Sequence, residues 1–515
     1  MQLHHEFIRT AKKNGKRFAI IDRTLGRKVS YSKALIGALI LMKKLKSYKE
    51  GFIGVMIPNS AGSILTILGI VLSGKVPVMI NYSTGAAENC EYAQKKCGFK
   101  IIITSRALLE KIGCRLVPGM VFIEDIMDKI TTKDKLKAAI QSKLPTKLLL
   151  KSIYQGEPDD DVVILFTSGS EKDPKAVQLT HKNLFSNIDA ILTKFKISRD
   201  DIMLGILPFF HVFGQNTNLW LPLNYGMAVV TYANPLEYDK VCQIIREEKV
   251  TIMLATPVFF SGYLRKSNPG DFETVWLAVT GADKLSEGLR KSFIEKHDLE
   301  IFEGYGTTET SPVISVNGPG ENKAGSIGKP LPNLQVKITD IASGKVLSPG
   351  QEGKIEVKGD LVMKGYFDDI EETSLRIEDG WYDTGDMGIM DEEGFLWHRG
   401  RLKRFVKIGG EMVSLVRIES ELDDLIPDEV DYCVVEVPDS LKGARIVVAI
   451  TKAIDTDDVL RKLTKRLPNI SLPRQFVLLN DLPKMGSGKV DFRTATDIVR
   501  DKLNKNNNRK SEGEK

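Results

Sequence analysis

The residues best suited to hold phosphate oxygens follow an apolar strand at 162–166. The turn after it is small and polar and consists of Thr167, Ser168, Gly169 and Ser170, with Lys175 beyond a proline. Hydroxyls and backbone N–H groups in a tight turn form a nest for anions, and a lysine adds a positive point charge. An ordinary polar loop would look the same, and the spacing excludes a G-x-x-x-x-G-K-[ST] P-loop. The turn therefore predicts a phosphate site only together with other motifs.

A second loop rich in glycine and hydroxyls, Gly304–Thr310, follows a short strand at 300–303 and carries one carboxylate, Glu309. Ligands bind open α/β sheets at the carboxyl ends of their strands. Mg²⁺ takes a carboxylate together with substrate phosphates. The alternative is a surface turn in which Glu309 caps a helix. The loop thus predicts a magnesium site beside a phosphate.

Three more side chains could take part in chemistry. Asp386 ends the glycine-flanked stretch 380–386, where it could accept hydrogen bonds from ribose hydroxyls or simply form a hairpin turn. Lys489 is displayed by a glycine turn near the C-terminus. His211 lies among aromatic residues, a setting more typical of packing than of catalysis.

The elements that position these residues indicate an α/β fold. Residues 1 to about 160 alternate helical and strand-like segments, which predicts βαβ units and mainly parallel sheets. From about 325 to 400 the segments shorten and alternate with period two, which predicts an antiparallel β subdomain. We expect a large N-terminal domain with that subdomain and a small mobile α+β C-terminal domain. The predicted boundaries are 1–400 for the large domain, 401–403 for a hinge, 404–502 for the small domain and 503–515 for a disordered tail.

Composition narrows the class of protein. The chain has 515 residues, 42% hydrophobic and 27% charged, as expected of a globular protein with several domains. The net charge of +6 is modest, and no basic stripe or recognisable module predicts nucleic-acid binding. Five scattered cysteines without a C-x-x-C pair support neither zinc nor a disulfide framework, so a reducing cytoplasm is expected. The N-terminus lacks the pattern of a secretory signal.

Two further stretches need an interpretation. The apolar segment 61–80 is interrupted by Gly69, Gly74, Lys75 and Pro77, which predicts a buried helix, a turn and a buried strand rather than a membrane span. The basic stretch 129–151 is interpreted as a solvated helix and connector that form a charged surface face.

A phosphate nest, a metal carboxylate, a ribose aspartate and a lysine on a separate domain together indicate ATP handling. In this order they resemble the adenylate-forming superfamily of acyl-CoA synthetases, luciferases and peptide-synthetase adenylation domains, over about residues 10–500. The stretches 81–85, 405–415 and 486–492 are similar to one branch, the acyl-[acyl carrier protein] synthetase half of bacterial 2-acylglycerophosphoethanolamine acyltransferases. That half is often fused to an acyltransferase domain and transporter helices. Neither is recognised in this sequence, so a stand-alone ligase is expected here.

The resemblance implies a two-step reaction with ATP and Mg²⁺. A fatty acid would become acyl-adenylate and then pass to the thiol of holo-acyl carrier protein, in fatty-acid scavenging for phospholipid synthesis. An acyl-CoA ligase with the same first step is the alternative, and a non-enzymatic homologue is a third. A cytoplasmic location, with peripheral contact at the inner membrane, is also expected.

The family motifs imply roles for the matching residues. The nucleotide phosphates would contact Thr167, Ser168, Gly169, Ser170, Lys175 and Thr308, while Glu309 would bind Mg²⁺ and Asp386 and Arg401 the ribose. The adenine and acyl group would be bordered by Tyr305, Gly306, Thr307, Gly281 and Ala282, with His211 at the mouth of the acyl pocket. Lys489 would bridge the carboxylate and the α-phosphate, and Lys403 would serve as the hinge.

The sequence departs from the family pattern in three places. Lys172 and Ala176 stand where the phosphate loop usually has glycine. Lys172 adds charge near phosphates but removes backbone freedom, which either retunes ATP affinity or marks weakened activity. Leu415 stands where most members of the superfamily have proline, a change this branch tolerates.

Overall fold

The structure is a computed structural model. It describes residues 1–167, 174–408, 411–427, 429–439, 443–484 and 490–512, with all their side chains except those of Lys403, Glu411, Met412 and residues 504–512.

The first third of the chain alternates helices with strands, as predicted. Its helices are α1 (Leu3–Lys13), α2 (Tyr31–Leu45), α3 (Ala61–Leu72), α4 (Ala86–Cys97), α5 (Arg106–Ile112), α6 (Ile123–Asp128), α7 (Thr132–Lys143) and α8 (Thr146–Lys151). Its strands are β1 (Phe18–Asp22), β2 (Arg27–Ser30), β3 (Phe52–Met56), β4 (Val76–Met79), β5 (Ile102–Thr104) and β6 (Met120–Phe122).

The middle of the chain continues the alternation. Its strands are β7 (Asp161–Phe166), β8 (Ala176–Thr180), β9 (Ile202–Gly205), β10 (Ala228–Thr231), β11 (Ile252–Ala255), β12 (Leu277–Thr280), β13 (Ile301–Gly306), β14 (Val313–Val316) and β15 (Lys329–Pro330). Its helices are α9 (His181–Lys194), α10 (Leu221–Tyr225), α11 (Tyr238–Glu247), α12 (Pro257–Lys266) and α13 (Glu287–His297), with a π-helix at Gly214–Trp220 and a 3₁₀ turn at Thr308–Thr310.

Antiparallel strands then replace the alternation. They are β16 (Gln335–Thr339), β17 (Glu352–Lys358), β18 (Gly365–Tyr366), β19 (Ile377–Glu378), β20 (Trp381–Met390) and β21 (Leu396–Arg401), with α14 (Ile370–Arg376) between β18 and β19. A 3₁₀ turn at Leu402–Arg404 leads to the C-terminal part. Its elements are β22 (Phe405–Ile408), β23 (Glu411–Ser414), α15 (Leu415–Leu422), β24 (Tyr432–Asp439), β25 (Gly443–Ile450), α16 (Thr456–Leu463), a 3₁₀ turn at Asn469–Ser471, β26 (Gln475–Leu478) and α17 (Phe492–Glu512).

Two large sheets form the N-terminal domain. Within the described residues one has seven strands in the order β18-β8-β7-β4-β3-β5-β6, and the other has nine in the order β15-β14-β13-β12-β11-β9-β10-β1-β2. Their central pairs are parallel, whereas β7–β8 and β13–β14, each one strand in from an edge, are antiparallel. One continuous core cluster joins residues of both sheets through α1, α2 and α3. The predicted α/β fold with mainly parallel sheets is confirmed.

Burial of helix α3 and strand β4 explains the apolar composition of residues 61–80. A capping box starts it, with Ser63 N donating to Ser60 Oγ and Ser60 N to Ser63 Oγ. Ten of its twelve residues are buried, and β4 follows within the seven-stranded sheet. The predicted helix, turn and strand are therefore confirmed. Across the described ranges, every helix is too short or too polar to cross a bilayer.

The antiparallel subdomain and the small domain complete the fold. β16, β17, β20, β19 and β21 form an antiparallel sheet, while β24, β25 and β26 form a three-stranded sheet with its own core against α15–α17. α17 includes residues 503–512 of the segment predicted to be a disordered tail, and Leu503 on it is buried. The domain boundaries and the mobility of the small domain stay predictions.

Candidate active site

The predicted phosphate loop joins β7 to β8, which pair as a hairpin. At its base Thr167 N donates to Lys175 O, and Lys175 N donates to Thr167 Oγ1 at 3.0 Å. Ser168, Gly169, Ser170 and Lys172 lie outside the described residues, and Ala176 is buried at the start of β8. The hairpin thus fixes both ends of the loop and the backbone of Lys175.

The Lys175 ammonium group is held by an acidic partner and an aromatic ring. Its Nζ forms an ion pair with Glu372 on α14 and lies 4.9 Å from the centre of the Tyr366 ring. Arg376 Nε also contacts Glu372, at 3.2 Å. Burial, the largest influence, raises the pKa of Glu372, but the two cations outweigh it and the pKa lies below its usual value.

Tyr366 connects this lysine to the second predicted loop. Its hydroxyl donates to Glu309 Oε1 at 2.9 Å, and Glu309 is 8% exposed. Burial first and the Glu309 carboxylate second raise the pKa of Tyr366, so its hydroxyl stays protonated and remains a donor. The same bond orients the Glu309 carboxylate.

The loop that carries Glu309 is shaped by a close backbone approach. A Cβ on Gly306 would lie 1.8 Å from Pro312 O, so only glycine fits there. Thr307 caps the 3₁₀ turn, because its N–H donates to Thr310 Oγ1 at 3.0 Å. The half-buried Thr308 starts that turn, beside Glu309.

Asp386 is the buried centre of the predicted ribose site. It is 3% exposed, and its Oδ2 accepts a hydrogen bond of 2.6 Å from Tyr305 OH. Its Oδ1 lies 3.6 Å from Arg401 Nε and 3.7 Å from His398 Nε2. No hydrogen bond reaches this buried Oδ1 from the described part of the protein. A ribose hydroxyl would satisfy such an acceptor, so the residues present fit a nucleotide.

The electrostatics keep Asp386 ionised. Burial is the largest influence and raises its pKa, but His398, Arg401 and Tyr305 together outweigh it and lower the pKa. Burial, followed by the Asp386 charge, raises the pKa of Tyr305 well above its ordinary value. The pair is therefore a carboxylate and a neutral phenol at neutral pH.

His398 is a site residue that the sequence analysis missed. It lies within the Asp386 ion cluster, and its ring centre is 5.6 Å from that of Tyr305. Arg401 lies opposite Asp386 across β20 and β21, and an irregularity after Met387 then pairs Gly388 with His398. The sequence signal for His398 is its position three residues before Arg401. That spacing brings both side chains to Asp386 only because of the irregularity.

The acyl end of the predicted site lies where β12 ends. Gly281 approaches β13 and the π-helix segment, since a Cβ on it would lie 3.3 Å from Gly304 O and 3.6 Å from the Phe213 ring. Ala282 follows with a φ of +73°, a left-handed conformation that is uncommon for a residue with a Cβ. His211 lies two residues before Phe213 and packs on Phe210, with their ring centres 4.6 Å apart.

Five of the predicted residues therefore lie in two groups of contacting side chains within the candidate site. Lys175, Tyr366 and Glu309 form its first half, Tyr305, Asp386 and Arg401 its second. Burial first, and then the charges of Glu309 and Tyr366 in one half and of Tyr305 in the other, raise the pKa of Tyr382 well above its ordinary value. Lys489 and the side chain of Lys403 are outside the described residues. Tyr366, Glu372 and Tyr382 were not singled out from sequence.

Comparison with known proteins agrees with this geometry. Residues 7–367 match the AMP-binding enzyme family, and residues 425–489 match the AMP-binding enzyme C-terminal domain. The chain is 29% identical over 506 residues to a long-chain-fatty-acid–CoA ligase of Bacillus subtilis, covering 90% of this chain and 89% of that protein. It is 28% identical over 457 residues to a 4-coumarate-CoA ligase of Narcissus pseudonarcissus, covering 85% and 82%.

Solved structures share the fold. ATP-bound MatB from Rhodopseudomonas palustris matches with a TM-score of 0.83 and 25% identity, covering 97% of this chain and 99% of that one. The o-succinylbenzoate CoA synthetase of Bacillus subtilis, in complex with its acyl-adenylate intermediate, matches with a TM-score of 0.83 and 23% identity, covering 95% and 97%. The chain belongs to the family of AMP-binding, adenylate-forming enzymes, as its motifs predicted.

Proposed function

We propose that this chain is an AMP-forming acid–thiol ligase that activates a long-chain fatty acid with ATP and Mg²⁺. The observation that carries the proposal is the buried carboxylate of Asp386, ionised by its neighbours and left with one acceptor oxygen for a ribose hydroxyl. The similarity to a long-chain-fatty-acid–CoA ligase supports the substrate class.

Each half of the site would bind a different part of the nucleotide. Asp386 and Arg401 would hold the ribose, with Tyr305, Gly306 and Thr307 beside the adenine. Lys175 and the loop from Thr167 would hold the β- and γ-phosphates. Mg²⁺ bound at Glu309 would stabilise the negative charge that develops on pyrophosphate.

In the first step a fatty carboxylate oxygen would form a bond to the α-phosphorus while the bond from that phosphorus to the pyrophosphate oxygen breaks. The products are acyl-adenylate and pyrophosphate. Thr308 would contact the α-phosphate, and Lys489 would bridge it to the carboxylate. Such a step depends mainly on positioning and on charge stabilisation, which fixed donors provide.

In the second step a thiol would lose its proton, its sulfur would bond to the acyl carbon, and AMP would leave. The resemblance to the acyl-[acyl carrier protein] synthetase branch favours holo-acyl carrier protein as the acceptor, in supply of acyl groups for phospholipid synthesis. CoA is the second candidate, because the curated relatives reported above are named as CoA ligases.

The acyl group would enter beside Gly281 and Ala282, with His211 at the mouth of its pocket. A Cβ on Gly281 would approach Gly304 O to 3.3 Å, so glycine lets the end of β12 lie close to β13 at this position. We further propose Lys403 as the hinge on which the small domain turns, and a peripheral contact with the membrane that supplies the acid.

The test is exchange of labelled pyrophosphate into ATP, with Mg²⁺ and a long-chain fatty acid. Exchange that requires the acid supports acyl-adenylate formation, and its absence with every acid tried would overturn the proposal. Supplying holo-acyl carrier protein or CoA then identifies the acceptor from the thioester formed. Formation of acyl-CoA alone would make the second candidate the function.

A further inference from the structure

Helix α7 presents an unusual face to solvent. Leu136 and Ile140 are one turn apart and are 62% and 59% exposed. Lys133 and Lys143 lie one turn before and after them, and both are exposed. Ala138, on the opposite side of the helix, is fully buried. The outward face is therefore an aliphatic pair with a lysine at each end.

The surroundings of this face are strongly positive. Residues 128–151 contain seven lysines and two aspartates, so they carry five of the chain's net six positive charges. All seven lysines are exposed, and none forms an ion pair with any residue that the structure describes. Asp134 is neutralised by Lys44 Nζ at 2.9 Å and caps the helix start with Thr131.

Hydrogen bonds join this face to neighbouring elements of the N-terminal part. Lys44 also donates to Lys129 O, and Lys12 Nζ on α1 donates to Ser142 O and Leu144 O at 2.9 and 3.0 Å. Gln141 Nε2 donates to Ser152 Oγ at 3.0 Å and so ties α7 to the end of α8. On α8, Leu148 is 53% exposed between lysines. We name residues 128–151 the basic–aliphatic face.

We propose that the basic–aliphatic face docks the protein on an anionic lipid bilayer. Isolated aliphatic side chains can enter the interface of a bilayer without a shaped pocket, and lysines beside them reach the lipid phosphates. An acidic protein would match the lysines but would need a complementary apolar groove for Leu136 and Ile140. This proposal specifies the surface through which the protein would contact the membrane. Only the purpose of that contact, access to a fatty acid, rests on the proposed function.

Co-sedimentation of the whole protein with vesicles tests this. Phosphatidylcholine vesicles that contain phosphatidylglycerol should bind the protein, and vesicles of phosphatidylcholine alone should bind it weakly. A variant with Lys133→Gln, Lys137→Gln and Lys143→Gln should lose about a hundredfold in partition, since each lysine near an anionic surface contributes roughly fivefold. A control with Lys95→Gln, Lys266→Gln and Lys345→Gln removes the same charge from exposed positions elsewhere.

The aliphatic pair is tested separately by Leu136→Ser with Ile140→Ser. This variant should bind anionic vesicles about tenfold less tightly while keeping its dependence on salt. Equal binding by the lysine variant and its control, or no binding to anionic vesicles, would overturn the proposal. So would lysine-dependent binding of holo-acyl carrier protein in the absence of vesicle binding.

Pyrophosphate exchange with a short, water-soluble acid separates this proposal from the proposed function. Every surface variant should retain it, because α7 contributes no residue to the site. Vesicle binding by a wild type that shows no exchange with any acid tried, long-chain acids included, would overturn the function and leave the docking surface standing. Exchange without binding to anionic vesicles would overturn the docking surface and leave the proposed function standing.

Discussion

Lys175 and Glu372 form an ion pair that joins the phosphate-loop hairpin to helix α14. A nucleotide phosphate would have to displace the carboxylate from the Lys175 ammonium group. Both side chains are about a quarter exposed, so the pair contributes at most about 1 kcal/mol. If Lys175 binds phosphate, the free energy needed to break this ion pair weakens ATP binding by the same amount.

Glu372→Gln should therefore lower the KM for ATP by up to about fivefold, because Lys175 no longer has a charged competitor. The measurement is pyrophosphate exchange as a function of ATP concentration. Glu371→Gln is the matched control, since Glu371 is its exposed neighbour on α14. A higher KM in Glu372→Gln would instead make Glu372 a residue that positions Lys175.

Asp386→Asn should raise the KM for ATP about 10- to 100-fold, because hydrogen bonds to a charged acceptor contribute about 1.5–3 kcal/mol. The change also leaves the Tyr305 hydroxyl with a weaker partner. Nucleotide affinity measured by calorimetry checks the effect without requiring turnover. Asp368→Asn, on an exposed turn, should bind ATP like the wild type, and unchanged affinity in Asp386→Asn would exclude the ribose role.

Gly306→Ala should destabilise the protein and abolish exchange, because its Cβ would overlap Pro312 O at 1.8 Å and displace the turn that carries Thr308 and Glu309. Relieving such an overlap costs about 1–3 kcal/mol or more. Thermal unfolding and pyrophosphate exchange measure the two effects. Gly288→Ala is the control, since a Cβ there meets open space and helix α13 favours alanine. Wild-type activity in Gly306→Ala would refute this account of the loop.

Acid should weaken the anchoring of α1. Burial lowers the pKa of His4 to about 4 and that of His181 to about 2, and their ring centres lie 5.0 Å apart. An unfolded histidine has a pKa of about 6.5, so between that value and about 4 the unfolded chain binds more protons than the folded one. The stability these groups contribute is complete above about pH 6.5 and is lost as the pH falls. At pH 5 the loss is about 2 kcal/mol for each histidine.

Urea unfolding at pH 7 and pH 5 measures that loss. His4→Gln with His181→Asn keeps the polar contacts, since glutamine can donate to Tyr154 O, as His4 Nε2 does, and asparagine can accept from Leu3 N. This double variant should lose clearly less stability between the two pH values than the wild type. An equal loss in both proteins would show that other groups cause the acid sensitivity.

The sequence predicted the fold well because its signals are local. Buried strands and amphipathic helices alternate through the first 300 residues, and glycine turns mark the antiparallel part. The motifs predicted Thr167, Lys175, Glu309, Asp386 and Arg401 as site residues, and the structure brings them together through Tyr366, Tyr382 and Tyr305.

What could not be predicted depends on register and on packing between distant segments. Strict alternation on β21 would place His398 and Arg401 on opposite faces, but the irregular pairing after Met387 brings both to Asp386. Glu372 reaches Lys175 across 197 positions of sequence, a contact that no spacing rule reveals. Ser168, Gly169, Ser170 and Lys489 retain the roles implied by family resemblance, as predictions.

Arg401 is the last residue of β21, and the 3₁₀ turn toward the small domain begins at the next peptide bond. One arginine therefore faces the Asp386 carboxylate on one side and begins the connection between domains on the other. A rotation about the proposed hinge would pull directly on the strand that carries it. Nucleotide binding at Asp386 and the orientation of the small domain would then be coupled through the position of Arg401.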